Sequence, residues 1–125
     1  MLFRSVGVML GNLGWLDRQR GNVDRAARRL GEAASVLHEA GATRMEAVFR
    51  ALLATVLPEQ GAQAALRVAS ACAQDPFSRG IVALADAWVA RRDGAPDAET
   101  RVKTALEQAP PGALASGLVR ELSAP

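Results

Sequence analysis

The side chains of this sequence that could do chemistry are mainly its arginines and tryptophans. Trp15 is followed one helical turn later by Arg18 and Gln19, and Trp88 by Arg91 and Arg92. A planar guanidinium beside an indole can hold a carboxylate through paired hydrogen bonds and can stack on an aromatic ring. That chemistry recognises an acidic or aromatic-bearing peptide; it does not make or break bonds. The competing reading is that the indoles belong to the core of an aromatic-poor chain, with Arg91 and Arg92 satisfying a helix C-terminus. Residues for catalysis are scarcer still. There is one histidine, His38, and one cysteine, Cys72, with no nucleophile elbow, phosphate-binding loop or paired metal-ligand motif around them. His38 suits a helix C-terminus and Cys72 suits an apolar stripe. We expect no enzymatic activity, no cofactor and no metal.

Such residues need elements to position them. Leu10 to Gly41 reads as one complete helical hairpin: apolar residues at Val6, Leu10, Leu13 and Leu16 recur at helical spacing, break at Arg20-Gly21-Asn22, and resume as Ala26, Ala27, Leu30, Ala33, Ala34 and Leu37. Gly21 can end the first helix in a left-handed conformation, and Asn22 can cap the second. Gly14, Ala26 and Ala33 are small enough to let two helix backbones approach. The first helix opens near Phe3.

The pattern then repeats. Thr43-Arg44-Met45-Glu46 has the form of a capping box, opening a third helix that runs to about Leu57 before Pro58. Gln60-Gly61 is expected to repeat the turn at Gly21, with a fourth helix over about Ala62 to Gln74. Asp75-Pro76 caps and opens a fifth, Asp93-Gly94 closes it, and Asp97 can cap a sixth that Pro110-Pro111 stop. Seven residues before Gly21, Gly61 and Gly94 stand Gly14, Ala54 and Ala87. Six residues before the first and third of these glycines stand Trp15 and Trp88, with Thr55 at the same place in the middle unit. A last helix over Ala113 to Leu122, with Leu114, Leu118 and Leu122 on one face, would cap the final hairpin.

Leu13-Gly14, Gly21, Ala26, Leu30 and Ala33, at these spacings in a helix-turn-helix unit, resemble the tetratricopeptide repeat. The chain departs from that pattern at Asp17 and Val23, where aromatic residues are usual, and at Gly31 inside the second helix. The resemblance implies an all-α fold of about seven helices: a right-handed stack of antiparallel hairpins, with units at about 3–41, 42–75 and 76–109 and a capping helix at 113–123. It implies a single domain over residues 1–125, the C-terminal part of a longer array, since the first unit lacks an evident N-terminal cap. It also implies protein interaction without chemistry, as in the sensor or scaffold part of a bacterial regulatory protein. In the family, ligand-facing positions lie on the first helix of each unit. Here they would be Trp15, Arg18 and Gln19, then Thr55, then Trp88, Arg91 and Arg92, lining a groove for a peptide or partner domain, one of acidic character.

Composition agrees with helices. Half the 125 residues are hydrophobic and only 4% aromatic, a balance suited to close-packed helices and poorly suited to a sheet. Fourteen arginines against one lysine, with abundant Ala and Gly, point to a GC-rich bacterial genome. A net charge of +2 gives no global field for nucleic acid or an anionic membrane. One cysteine forms no intrachain disulfide and fits a reducing compartment. The apolar stretch Leu2 to Leu16 has one early charge, Arg4, no small-x-small cleavage site and Asn12 in its interior, so we read it as the first helix rather than a signal peptide. No run reaches the ~18 apolar residues of a membrane span. A cytoplasmic protein is expected.

One alternative remains open. Arg18, Arg20, Arg25, Arg28 and Arg29 crowd a single turn, and Gly21 to Gly31, GNVDRAARRLG, resembles the helix-turn-helix of Fis-like DNA-binding regulators. That family requires a turn after Gly31 and then a basic helix; Glu32 to Ala40 is short and acidic. The repeat reading instead makes one helix, with Asp24–Arg28 and Arg28–Glu32 as i,i+4 pairs on a solvated face.

Overall fold

The structure, a computed structural model, describes residues 2–124, with the side chain of Leu2 left aside. Met1 and Pro125, the ends of the expected domain, lie outside the described residues. Seven helices follow in order: α1 Leu2–Gln19, α2 Val23–Glu39, α3 Thr43–Ala54, α4 Glu59–Cys72, α5 Pro76–Arg92, α6 Ala98–Glu107 and α7 Ala113–Ser123. No strand occurs among the described residues.

Helices pack as consecutive pairs, α1 on α2, α3 on α4 and α5 on α6, and the pairs join through α2 on α3, α4 on α5 and α3 on α5. Three of the turns share one device. Gly21, Gly41 and Gly94 have φ of +81°, +70° and +73°. The residue after each glycine donates its amide back to the last helical turn: Asn22 to the Asp17 carbonyl, Ala42 to Leu37 and Ala95 to Ala90, at 2.8, 2.9 and 2.9 Å. A left-handed residue followed by this long-range amide bond satisfies carbonyls that the helix end would otherwise leave open.

Gly61 does not belong to this set. It lies inside the first turn of α4, and the preceding turn is made by Thr55 to Leu57 with Pro58 in extended conformation. Proline supplies there the stop that glycine supplies elsewhere, so α3 ends at Ala54 and α4 begins at Glu59, both earlier than expected. The expected capping box is also absent. Ala42, not Thr43, is the N-cap of α3, and the Glu46 side chain turns inward to other partners. Asn22 and Asp97 stand at N-caps without a side-chain cap bond; Asp97 instead accepts from Arg101 Nε at 2.9 Å. Asp75 is a true cap, accepting the Ser78 amide at 3.3 Å, with Pro76 next to it.

The core centres on Leu30, Leu37, Phe49, Leu52, Ile81, Leu84 and Leu118, all fully buried. Ala54 and Ala87 are fully buried too, and Gly14 lies against Leu30. The largest difference from the sequence reading is the orientation of α1. Val6, Leu13 and Leu16 point to solvent, while Gly7, Gly11 and Gly14 face the protein. A Cβ on Gly7 would stand 2.7 Å from Leu37 Cγ, one on Gly14 2.8 Å from Leu30 Cγ, and one on Gly11 would enter the Phe49 ring. The stripe of glycines is a channel for large side chains from α2 and α3; close approach, not burial of leucines, decides which face turns in.

Candidate functional site

Four of the seven expected groove residues meet at one point. Arg18, on the last turn of α1, is its centre. Its Nε donates to Thr55 Oγ1 at 2.7 Å, and the Thr55 hydroxyl donates onward to the Leu52 carbonyl at 2.6 Å. The Arg18 guanidinium carbon lies 5.3 Å from the Trp15 ring centroid and 5.0 Å from that of Trp88. Its remaining nitrogens make a two-pronged contact with one carboxylate, Glu121 of α7, at 2.7 and 2.9 Å. Trp88 Nε1 donates to the same carboxylate at 2.9 Å. Arg18 Nη1 also reaches Gln19 Oε1 at 3.0 Å, on the exposed rim.

Glu121 therefore receives three hydrogen bonds from a guanidinium and an indole, with the cation held between two aromatic faces. Both rings are half-buried, so neither the fully exposed groove nor the sealed core describes them. Trp15 also packs edgewise on Gly117, one turn before Glu121, where a Cβ would meet the indole. α7 is thus more than a lid on the last hairpin. It rests on α5 and α6 and carries its acid across to Arg18 of α1. A cleft of ≈ 350 Å³ remains beside the cluster, lined by Arg18, Gln19, Val23, Thr55, Val56, Trp88 and Glu121.

The other two expected residues serve helix ends and neighbours. Arg92 lies 5.6 Å from the Trp88 centroid and donates to the Leu57 carbonyl at 2.7 Å and to Asp93 at 2.8 and 3.1 Å. Those bonds hold the Asp93 carboxyl below its ordinary range. Arg91 turns away from the cluster, to the Leu122 carbonyl at 3.0 Å and to Glu99 at 3.0 and 2.7 Å, which lowers the Glu99 pKa and raises that of Arg91. Arg91 is a tie between α5, α6 and α7 rather than a groove residue.

Glu121 and Gly117 were not among the expected site residues. Their signal is the i,i+4 spacing of a small residue and an acid on the flank of α7 beside the leucine face; an Ala-rich chain hides it.

A second polar cluster joins α2, α3 and α4. Glu46 is 1% exposed and takes His38 Nδ1 at 3.1 and 3.2 Å and Arg50 Nε at 2.8 Å. Burial pushes the Cys72 thiol up, and the adjacent Glu46 carboxylate pushes it further. A thiol held protonated beside an acid is a poor nucleophile at neutral pH. The arrangement ties three helices together.

The arginines of the first turn are also partly structural. Asp17, 3% exposed, is paired by Arg29 at 2.9 Å and by Arg25 at 3.4 Å. The expected pairs Asp24–Arg28 and Arg28–Glu32 do not form: Arg28 is solvated, while Arg25 and Arg29 turn to Asp17. α2 continues unbroken through Gly31 to Glu39. No helix of the described residues is long and apolar enough to cross a membrane. Compared with family models, with curated protein sequences and with solved structures, the chain matches none of them.

Proposed function

We propose that this chain is a non-catalytic interaction module of the tetratricopeptide kind, a stack of helical hairpins that holds an acid-bearing helical segment of a partner at Trp15, Arg18, Thr55 and Trp88. The observation that carries this reading is the environment of Glu121. A carboxylate presented from a helix meets there a guanidinium fork, an indole donor and two aromatic faces, the chemistry that a groove for acidic peptides needs. In this chain α7 is the resident segment, and a partner helix of like pattern competes for its place. The reading carries with it a regulatory or scaffolding role in a bacterial cytoplasm. Duplex reading by Gly21 to Gly31 has less support, because a recognition helix needs a turn where α2 runs on.

Fluorescence anisotropy of a labelled peptide with the sequence of residues 112–124 tests it. We expect the peptide to bind a Glu121→Ala chain more tightly than the native one, and Arg18→Ala to abolish the gain. Absence of saturable binding to either chain at roughly 100 µM peptide, an affinity weaker than ordinary peptide grooves offer, would overturn it.

A further inference from the structure

The outward face of α1 carries an exposed apolar stripe from Phe3 to Leu16. Phe3 is 69% exposed, Met9 59% and Leu16 45%, with Val6 and Leu13 each at 37%. Gly7, Gly11 and Gly14 occupy the opposite face, and the exposed polar residues Ser5, Asn12 and Gln19 run along one flank of the stripe. A helix normally turns its apolar stripe inward and its polar side to water; here the larger apolar side chains are the ones left outside. Position also marks this face as a docking face. Met9 stands five residues before Gly14 as Phe49 stands five before Ala54, and the Phe49 ring is seated against Gly11 of the neighbouring hairpin.

We infer that the occupant is a second copy of this chain, with α1 paired antiparallel to the partner's α1 about a two-fold axis near Asn12. Val6, Met9, Leu13 and Leu16 fall at alternating intervals of three and four residues, the a and d places of a helix-pairing seam. An antiparallel register sets Val6 of one copy against Leu16 of the other and Met9 against Leu13, so each exposed apolar side chain of the seam gains a partner. The flanking places at Ser5, Asn12 and Gln19 are uncharged, and the symmetric pair brings no like charges together along that edge. A head-to-tail arrangement lacks a socket, because the glycine channel of each copy is already filled by Leu37, Phe49 and Leu30. The isologous pairing closes on itself.

Area sets the strength. The face exposes roughly 400–500 Å² of apolar side chain, the size of the largest patch that a single domain commonly leaves bare, a patch that is often functional. Two copies remove at most roughly 900 Å² of it, near the lower limit of a specific interface and of the size of a weak, dissociating pair.

Sedimentation velocity of the full chain across roughly 1–200 µM covers the range of weak, dissociating pairs. We expect a monomer–dimer equilibrium, lost when Met9 and Leu13 are both replaced by Glu while the circular dichroism of the helices is unchanged. A short bis-maleimide should join two copies of an Asn12→Cys chain and leave the native chain, with Cys72 alone, largely unjoined. A monomer throughout the range, a dimer that survives the double substitution, or assemblies larger than two would each overturn the inference, and the native series decides even if the variant misfolds.

Discussion

Arg28 and Arg29 are adjacent on α2 and do different work. Arg29 pairs with a carboxylate that has almost no access to water, whereas Arg28 reaches solvent with no ion-pair partner among the described residues. Removing one member of a buried pair strands the other; because Arg29 is itself a third exposed, we discount the full penalty. Arg29→Gln should therefore cost about 1–2 kcal/mol in urea unfolding, and Arg28→Gln less than about 0.5 kcal/mol. Asp75 allows a pH test. The Ser78 hydroxyl, chiefly, holds its carboxyl below the ordinary value of 3.8. A depressed native pKa adds stability above the unfolded value and loses it as pH falls through the native one. The stability gap between the native chain and Asp75→Asn should accordingly be present at about pH 6 and shrink at about pH 3. Residue types and spacing in the sequence grouped Trp15, Arg18, Thr55 and Trp88, and the fold brings these four side chains together. They could not name Glu121, whose place depends on where a helix at the far end of the chain comes to rest.

At the scale of elements, turns and small residues matter more than the apolar period. Gly21, Gly94 and Asp75-Pro76 were legible because each is a local device whose geometry depends on its own residue. The facing of α1 was not, because its leucines and its glycines both recur at helical spacing, and only the bulk of Leu37, Phe49 and Leu30 on the other helices selects the glycine face. The consequence is measurable. Gly11→Ala should destabilise by about 1–2 kcal/mol, since overpacking against the immobile Phe49 ring outweighs the gain in helix propensity. Gly31→Ala, with open space around it, should stabilise by about 0.5–1 kcal/mol. Equal effects at the two positions in thermal melts would show that the channel is not tightly filled.

Over the whole molecule, α7 adds a tie between the first and last pairs of helices, which already join through α2 on α3 and α3 on α5. It packs on the last pair, and its one acid reaches back to Arg18, 103 positions earlier in the chain. All-α architecture and seven helices were readable from composition and turn spacing. The return of α7 onto α1 was not, since no local pattern encodes a contact at that separation. Glu121→Ala should lower stability by about 1–2 kcal/mol, less than a sealed ion pair because Glu121 is partly exposed and Thr55 stays with Arg18.

The Trp88 indole N–H tests the central claim most directly, because it donates to the carboxylate that a partner would replace. In a two-dimensional proton–nitrogen spectrum of the Glu121→Ala chain, titration with the 112–124 peptide should move the Trp88 indole cross-peak back toward its native position. The same titration with a peptide carrying Gln in place of Glu121 should leave it where it was. An indole peak that ignores both peptides, or follows both equally, would contradict a site for acid-bearing helices.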